Sequence, residues 1–211
     1  MEVFKLVFSP IEVNTYILSD GSGQCAVIDC GCYTKNEFQR LEGLISAKNL
    51  NPVLLLNTHC HLDHVFGNRM ILEKYNIGTL CHKEEEANRM DSVYIASVFG
   101  MKMDVPPVPA GFIADGSIVK FGESSLTALF VPGHTSGSLA FYSEKDKVVF
   151  TGDALFAGSI GRTDLKGGDY DTLISSIRNK LFTLPPDTVV YPGHGEATTI
   201  KDEMMTNPYF G

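Results

Sequence analysis

Residues Thr58-His59-Cys60-His61-Leu62-Asp63-His64 place three imidazoles and a carboxylate within six positions, directly after the apolar run 53–56. His is scarce elsewhere: the chain has 6 in 211 residues, and half of them fall in this stretch. At the chain's own residue frequencies, H-x-H-x-D-H would arise by chance roughly 3 × 10⁻⁴ times per chain. Imidazole nitrogen combined with carboxylate oxygen is the ligand set of a borderline divalent metal. In extended backbone His59 and His61 point to the same side, so both can reach one cation. If the chain begins to turn at Asp63, that carboxylate and His64 aim elsewhere. One short loop could then serve two metals, which at about 3.5–4 Å apart can share a bridging carboxylate and a bridging hydroxide.

The same local phrase recurs. The apolar run 53–56 ends in Asn57-Thr58-His59, the run 126–131 in Pro132-Gly133-His134, the run 147–150 in Thr151-Gly152-Asp153, and the run 188–191 in Pro192-Gly193-His194. Four times an apolar strand runs into a tight turn that carries His or Asp. Strand ends in α/β sheets open onto the crevices where ligands bind, and Gly beside the ligand permits a sharp turn or a close approach.

These turns need a scaffold, and the rest of the chain reads as one. Runs 3–8, 13–18 and 26–28 are strands, with Ser9-Pro10 and Asp20-Gly21-Ser22-Gly23 as turns. Residues 35–48 carry Phe38, Leu41, Leu44 and Ile45 at helical spacing behind Thr34, a plausible N-cap. A helix over 64–75, a short strand at 77–80 and a helix over 83–99 follow. The proline-rich segment 101–111 is a loop. Strand pairs 118–121 with 125–131 and 138–142 with 147–150 precede a helix over 171–182, a strand at 188–191 and a short helix at 199–205. The alternation predicts a layered α/β architecture. No linker or repeat divides the chain, so residues 1–211 are expected to form a single domain.

A formal net charge of −8 offers no electrostatic footprint for nucleic acid or an anionic membrane. Five cysteines form no regular framework, the N-terminus lacks a secretory pattern, and no apolar run approaches the ~20 residues of a membrane span. A cytoplasmic protein with reduced thiols is expected.

With these residues in view, the chain resembles the metallo-β-lactamase-fold superfamily, and within it the short, single-domain glyoxalase II-like (hydroxyacylglutathione hydrolase-like) hydrolases. The resemblance runs from Asn14-Thr15-Tyr16 through Val27-Ile28-Asp29-Cys30-Gly31 to Thr206-Asn207-Pro208-Tyr209-Phe210. It implies a four-layer αβ/βα sandwich with two divalent metals at one edge, zinc being the expected ion and iron or manganese the alternatives. One metal would be held by His59, His61 and His134 and the other by Asp63, His64 and His194, with Asp153 bridging both. Asp29 would support the site from behind its ligands. The implied reaction is hydrolysis of a small-molecule thioester such as S-D-lactoylglutathione. A metal-bridging hydroxide attacks, and Asp63 orients it and passes a proton.

The resemblance is incomplete at the substrate end. Full-length glyoxalase II carries a further C-terminal helical domain for glutathione, whereas seventeen residues follow His194 here. Arg162, in Gly158-Ser159-Ile160-Gly161-Arg162-Thr163-Asp164, stands where that family presents a Lys. It reads either as a bidentate carboxylate binder or as a structural tie for its loop. The same motifs also resemble the persulfide dioxygenases of the superfamily, which would use one iron on His59, His134 and Asp153. Against that branch stands Pro192-Gly193-His194-Gly195-Glu196, which has the hydrolase form. A non-enzymatic scaffold has no chemical need for seven ligands. Outside the site, His82 reads as a surface or cap residue, Cys60 as a buried structural thiol, and Cys30-x-Cys32 as unpartnered. Phe66, Phe99 and Phe156 are assigned to packing.

Overall fold

Two six-stranded sheets packed face to face organise the chain in the computed structural model, which describes residues 1–211. The first sheet runs in sequence order: β1 (Glu2–Phe8), β2 (Val13–Ser19), β3 (Gln24–Ile28), β4 (Asn51–Leu56), β5 (Thr79–Cys81) and β6 (Gly111–Phe112). Its first three strands are antiparallel and the rest pair parallel. The second half of the chain supplies β7 (Ile118–Phe121), β8 (Ser124–Phe130), β9 (Leu139–Ser143) and β10 (Val148–Gly152). A small ribbon follows, β11 (Leu155–Phe156) with β12 (Ser159–Ile160), then β13 (Val189–Pro192) and β14 (Thr198–Thr199). The second sheet has the order β14-β13-β10-β9-β8-β7.

Side-chain alternation decides what lies between the layers. Tyr16, Leu18, Ala26, Ile28 and Leu56 from the first sheet meet Leu126, Ala128, Leu139, Phe141 and Phe150 from the second. The opposite parity of the first sheet, Ile17, Cys25, Val27 and Leu55, packs on Phe38, Leu41 and Ile45 of helix α1 (Lys35–Ala47) and Ile71 further on. In the second sheet Ala140, Tyr142, Val149 and Val190 pack on Leu173, Ile177, Leu181 and Ile200 of its covering helices. Strands buried on both faces explain why these runs read as continuously apolar. The result is the four-layer αβ/βα sandwich. No helix is long and apolar enough to cross a membrane.

The predicted helix over 64–75 is two helices, α2 (Leu62–Val65) and α3 (Asn68–Tyr75). The break is a docking event: the Gly67 amide donates to the Cys30 carbonyl at 2.7 Å, and a Cβ at Gly67 would collide with Cys30 Sγ. The predicted cap at Thr34 forms a full capping box with Glu37. Helix α4 (Glu86–Val98) follows a 3₁₀ turn at Lys83–Glu85. The helix expected over 171–182 is α5 (Tyr170–Ser176) continued by a π turn at Ile177–Leu181, and α6 (Ile200–Thr206) is capped by Thr199. Strands β6, β11, β12 and β14 were not foreseen, because two residues carry no periodicity.

Candidate metal centre

Sheet polarity brings the four loaded turns together. Strand β9 is antiparallel to both β8 and β10, so β8 and β10 run in one direction, and β13 pairs parallel with β10. The C-terminal ends of β8, β10 and β13 therefore share one edge, and they carry His134, Asp153 and His194. The C-terminal end of β4 reaches the same edge from the first sheet. It is stitched there by Leu139 N to Thr58 O at 2.8 Å, while Asn14 N holds Gly193 O at 2.7 Å.

All seven side chains expected as ligands converge at this edge. His134 Nε2 lies 3.3 Å from His59 Nε2 and 2.9 Å from His61 Nδ1. These separations resemble the roughly 3.4 Å between two nitrogens bound about 2.0–2.1 Å from one tetrahedral ion. On the other side His194 Nε2 lies 3.1 Å from Asp63 Oδ2, and His64 Nε2 lies 3.6 Å from the same oxygen. Asp153 stands between the groups: Oδ1 is 3.3 Å from His64 Nε2, and Oδ2 is 3.7 Å from His134 Nε2 and 3.6 Å from His194 Nε2. Three donor sets close enough to hold an ion result: His59 with His61 and His134, His59 with His64 and Asp153, and Asp63 with His64 and His194. The turn expected at Asp63 is helix α2, with His61 just outside its start and Asp63 and His64 inside it.

The backbone and its neighbours fix which ring nitrogens face inward. His64 Nδ1 donates to Asp29 Oδ2 at 2.9 Å, His134 Nδ1 to the Arg162 carbonyl at 2.8 Å, and His194 Nδ1 to the Glu12 carbonyl at 3.1 Å. The Thr58 hydroxyl donates to Asp29 Oδ2 at 2.6 Å, which leaves its oxygen to accept from His59 Nδ1 at 3.1 Å. Each of these four rings therefore presents the lone pair of Nε2 to the centre.

Two atoms then test whether a cation fits. His64 Nε2 and Asp153 Oδ1 are buried and make no hydrogen bond; 3.3 Å apart, they face each other without donor geometry. An acceptor pair of this kind is costly in an apolar interior unless positive charge lies between them. The field agrees. Burial depresses the His64 imidazole, but Asp153, Asp63 and Asp29 outweigh it and hold it well above the ordinary histidine range. At the other pole burial and the neighbouring rings push His59 far down, and burial with His134 brings His61 to about 4. Burial opposes ionisation of Asp153, yet His64 and His134 keep it below the usual carboxylate range. One pole thus offers neutral nitrogen donors and the other attracts positive charge. The residues fit divalent metal ions.

Residues 9–194 match the model of the metallo-β-lactamase superfamily. The chain belongs to that superfamily. Its relatives include hydroxyacylglutathione hydrolase GloC of Haemophilus influenzae, 36% identical over 211 residues that cover 99% of this chain and 98% of the relative. Among solved structures, BLEG-1 B3 metallo-β-lactamase superposes with a TM-score of 0.91 at 31% identity, covering 99% of each chain. TTHA1623 in a di-iron-bound form superposes with a TM-score of 0.88 at 34% identity, covering 98% of this chain and 99% of that one. The protein is a metal-dependent hydrolase of the metallo-β-lactamase superfamily.

In this superfamily member several supports escaped the sequence reading. Asn14-Thr15-Tyr16 anchors two of the turns. Asn14 Nδ2 and the Tyr16 hydroxyl donate to the Pro192 carbonyl at 2.9 and 2.7 Å, and Thr15 Oγ1 donates to the Asp29 carbonyl at 2.6 Å. Asn68 Nδ2 holds Asn57 Oδ1 at 2.7 Å, and Asn57 Nδ2 in turn holds the His64 carbonyl at 2.8 Å. Single polar residues inside apolar strands are the only trace of this in the sequence. Glycine is required at Gly193, where a Cβ would strike Asp153 Oδ1 and crowd His64, and at Gly161, where it would strike the Asp153 carbonyl.

The residues set aside divide. Cys60 is buried in an apolar cluster with Val65 and Cys81. His82 caps the 3₁₀ turn, its Nδ1 accepting from Glu84 N at 3.3 Å, but it is buried and stacked on Phe130 rather than at the surface. Phe99 is not a packing residue; it closes α4 with 63% of its surface exposed. Phe66 packs on Tyr33, and Phe156, on the β11–β12 ribbon, stands edge-to-face with His194, ring centroids 6.3 Å apart.

Proposed function

We propose that the chain is a dinuclear thioesterase of the glyoxalase II type, acting on S-D-lactoylglutathione or a related small thioester. The observation that carries this reading is the double access to Asp153. Its two oxygens face His64 on one side and His134 and His194 on the other, so two three-donor sets share one carboxylate. In the proposal His59, His61 and His134 would hold one ion, Asp63, His64 and His194 would hold the other, and Asp153 would be available to both. Zinc is the expected ion, with iron or manganese as alternatives. Similarity to GloC supports the thioester class, and similarity to a di-iron-bound structure supports a second ion. Bound there, two divalent cations would supply a Lewis acid for the acyl oxygen and a water nucleophile of lowered pKa.

The side chains supply orientation. Burial alone would raise the Asp63 carboxyl, but the His64 and His194 rings hold it below the ordinary range. It therefore stays an acceptor, suited to hold a hydrogen of the attacking water and aim its lone pair at the carbonyl. A thiol leaving group suits the site because a thiol of pKa about 8.5 departs with little help from a proton donor. Phe156 offers an apolar wall beside His194.

Arg162 is proposed to bind a substrate carboxylate. Its guanidinium is exposed and already clasps a carboxylate bidentately, with Nε and one terminal nitrogen each 2.8 Å from Asp164. An exposed pair of this kind is worth about 0–1 kcal/mol, so a substrate carboxylate can displace Asp164. The Arg162 carbonyl orients His134 through backbone alone, so truncating the side chain spares that bond. Arg162→Ala should raise KM for an anionic thioester by about tenfold with kcat nearly unchanged. Unaltered kinetics would dispose of this role.

The proposed setting is the cytoplasm, with no nucleic acid or membrane partner. Five free, buried cysteines suit a reducing compartment, and a net charge of −8 repels polyanions. The deciding experiment pairs metal analysis of the isolated protein with a thioester panel. About two metals per chain and turnover of at least one thioester are expected. A fully metallated preparation that hydrolyses none refutes the proposal. One iron per chain with oxygen uptake on glutathione persulfide would replace it with the dioxygenase reading, whose ligands would be His59, His134 and Asp153.

A further inference from the structure

We propose that Glu85 is a positioning residue that sets the His59, His61 and His134 pole of the metal centre. Glu85 ends the 3₁₀ turn before α4, is fully buried, and has no cationic partner. A buried carboxylate without a counter-ion is expensive, so its compensation is informative. Oε2 accepts from the Cys60 amide at 2.7 Å and from Asn88 Nδ2 at 3.0 Å. Oε1 accepts from the Thr135 hydroxyl at 2.6 Å and from the Gly137 amide at 2.9 Å. Four donors satisfy the charge.

The donors come from places that matter. Cys60 lies between His59 and His61 on the turn after β4 of the first sheet. Thr135 and Gly137 follow His134 on the turn after β8 of the second sheet. One carboxylate therefore ties the two loops whose rings converge to 2.9 and 3.3 Å. Gly137 permits the contact, since a Cβ there would fall 2.7 Å from Glu85 Oε1. Nothing from Glu85 touches the Asp63, His64 and His194 pole, whose rear support is Asp29. Asp29 also reaches His59 through the Thr58 hydroxyl, so it touches both poles, whereas Glu85 serves the His59, His61 and His134 pole alone.

An amide in place of this carboxylate cannot serve both loops. Asn88 can flip and the Thr135 hydroxyl can rotate, but the Cys60 and Gly137 amides are backbone donors and cannot become acceptors. In Glu85→Gln the NH₂ group must therefore face one of them, and one loop loses its anchor whichever way the amide turns. The proposal rests on the two-metal reading, and its test separates the two. Metal-free wild type and Glu85→Gln are titrated with zinc against a chromophoric chelator, and thermal unfolding of the metal-free forms is recorded. Wild type should bind in two steps. Glu85→Gln should weaken one step about 10–100-fold and leave the other within twofold. Thr135→Val, which removes only the hydroxyl donor, should weaken the same step several-fold and covers the case in which Glu85→Gln does not fold. Both steps unchanged in the folded variants would overturn the proposal. So would equal weakening of both steps with a lowered metal-free melting temperature, because that marks a general structural role. A single step in wild type would instead refute the two-metal reading.

Discussion

Asp153→Asn should strip metal and turnover from the chain while leaving the metal-free fold intact. The substitution keeps the volume and one acceptor oxygen, but it removes the charge and turns the other oxygen into an N–H donor. That charge sits among His64, His134 and His194, which is why the carboxyl is held ionised although desolvation opposes it. On the proposed two-metal reading, Asp63 would be the only carboxylate left among the ligands, and one of the Asp153 oxygens facing the two donor sets would become an amide nitrogen. Loss of a shared anionic ligand is expected to cost about 10³-fold in kcat/KM, or roughly 4 kcal/mol. Metal content should fall below two per chain. His59→Ala, which deletes a donor common to two of the three sets, should likewise remove metal and activity together. Metal counting, steady-state kinetics and a metal-free melting curve read all three quantities. An Asp153→Asn enzyme with full metal content and near wild-type turnover would sink the bridging role.

The second large effect belongs to a residue that does not face the centre. Asp29 accepts from Thr58 N at 2.8 Å, Thr58 Oγ1 at 2.6 Å, Asn57 Nδ2 at 3.2 Å and His64 Nδ1 at 2.9 Å. Its backbone stands at φ +53°, a conformation that Asp and Asn tolerate better than Ala. Asp29→Asn therefore keeps the backbone and changes the chemistry. Its amide nitrogen must stand either at the Oδ1 position, facing Thr58 N and Asn57 Nδ2, or at the Oδ2 position, facing Thr58 Oγ1 and His64 Nδ1. Facing His64, it donates to Nδ1 and forces the proton to Nε2, so the ring turns an N–H toward Asp153 in place of a lone pair. A wrong histidine tautomer is a severe lesion in hydrolases. The expected loss is about 10–100-fold in metal affinity and at least that in turnover. Nitrogen-15 NMR of the histidines distinguishes the two tautomers directly. Asp29→Ala goes further, since it leaves several buried donors unpaired at about 1–3 kcal/mol each, and it should lower the melting temperature as well. Wild-type tautomers and metal affinity in Asp29→Asn would mean that Asp29 only ties down the loop.

Much of this was legible in the chain before any folding. Apolar runs of fixed parity specified the strands, and the Gly- and Pro-marked turns after four of them carried the donors. Ligand identity is local information, because a metal needs particular atoms and the turns that present them are short. The αβ/βα layering followed from the alternation of strands and helices together with the family resemblance. The single-helix reading of 64–75 failed because Gly67 gives its amide to Cys30, a residue from another strand, and helical spacing contains no record of that contact. Phe99 was misplaced for a related reason, since apolarity does not reveal whether a covering layer exists.

What tertiary structure alone decided is most of the support. Asp29 was expected behind the ligands from the family resemblance, but Glu85 is one of 25 acidic residues, and neither spacing nor composition sets it apart from Glu84 or Glu86. Asp29 gains its role from donors 28 to 35 positions away that the pairing of β3 with β4 brings beside it, and Glu85 from Cys60 of one sheet and Thr135 and Gly137 of the other, 25 to 52 positions away. The sequence determined by itself which atoms could hold a metal, because that depends on residue type. The fold determined which lone pairs face inward and how far apart they stand, because a tautomer and a distance are properties of neighbours.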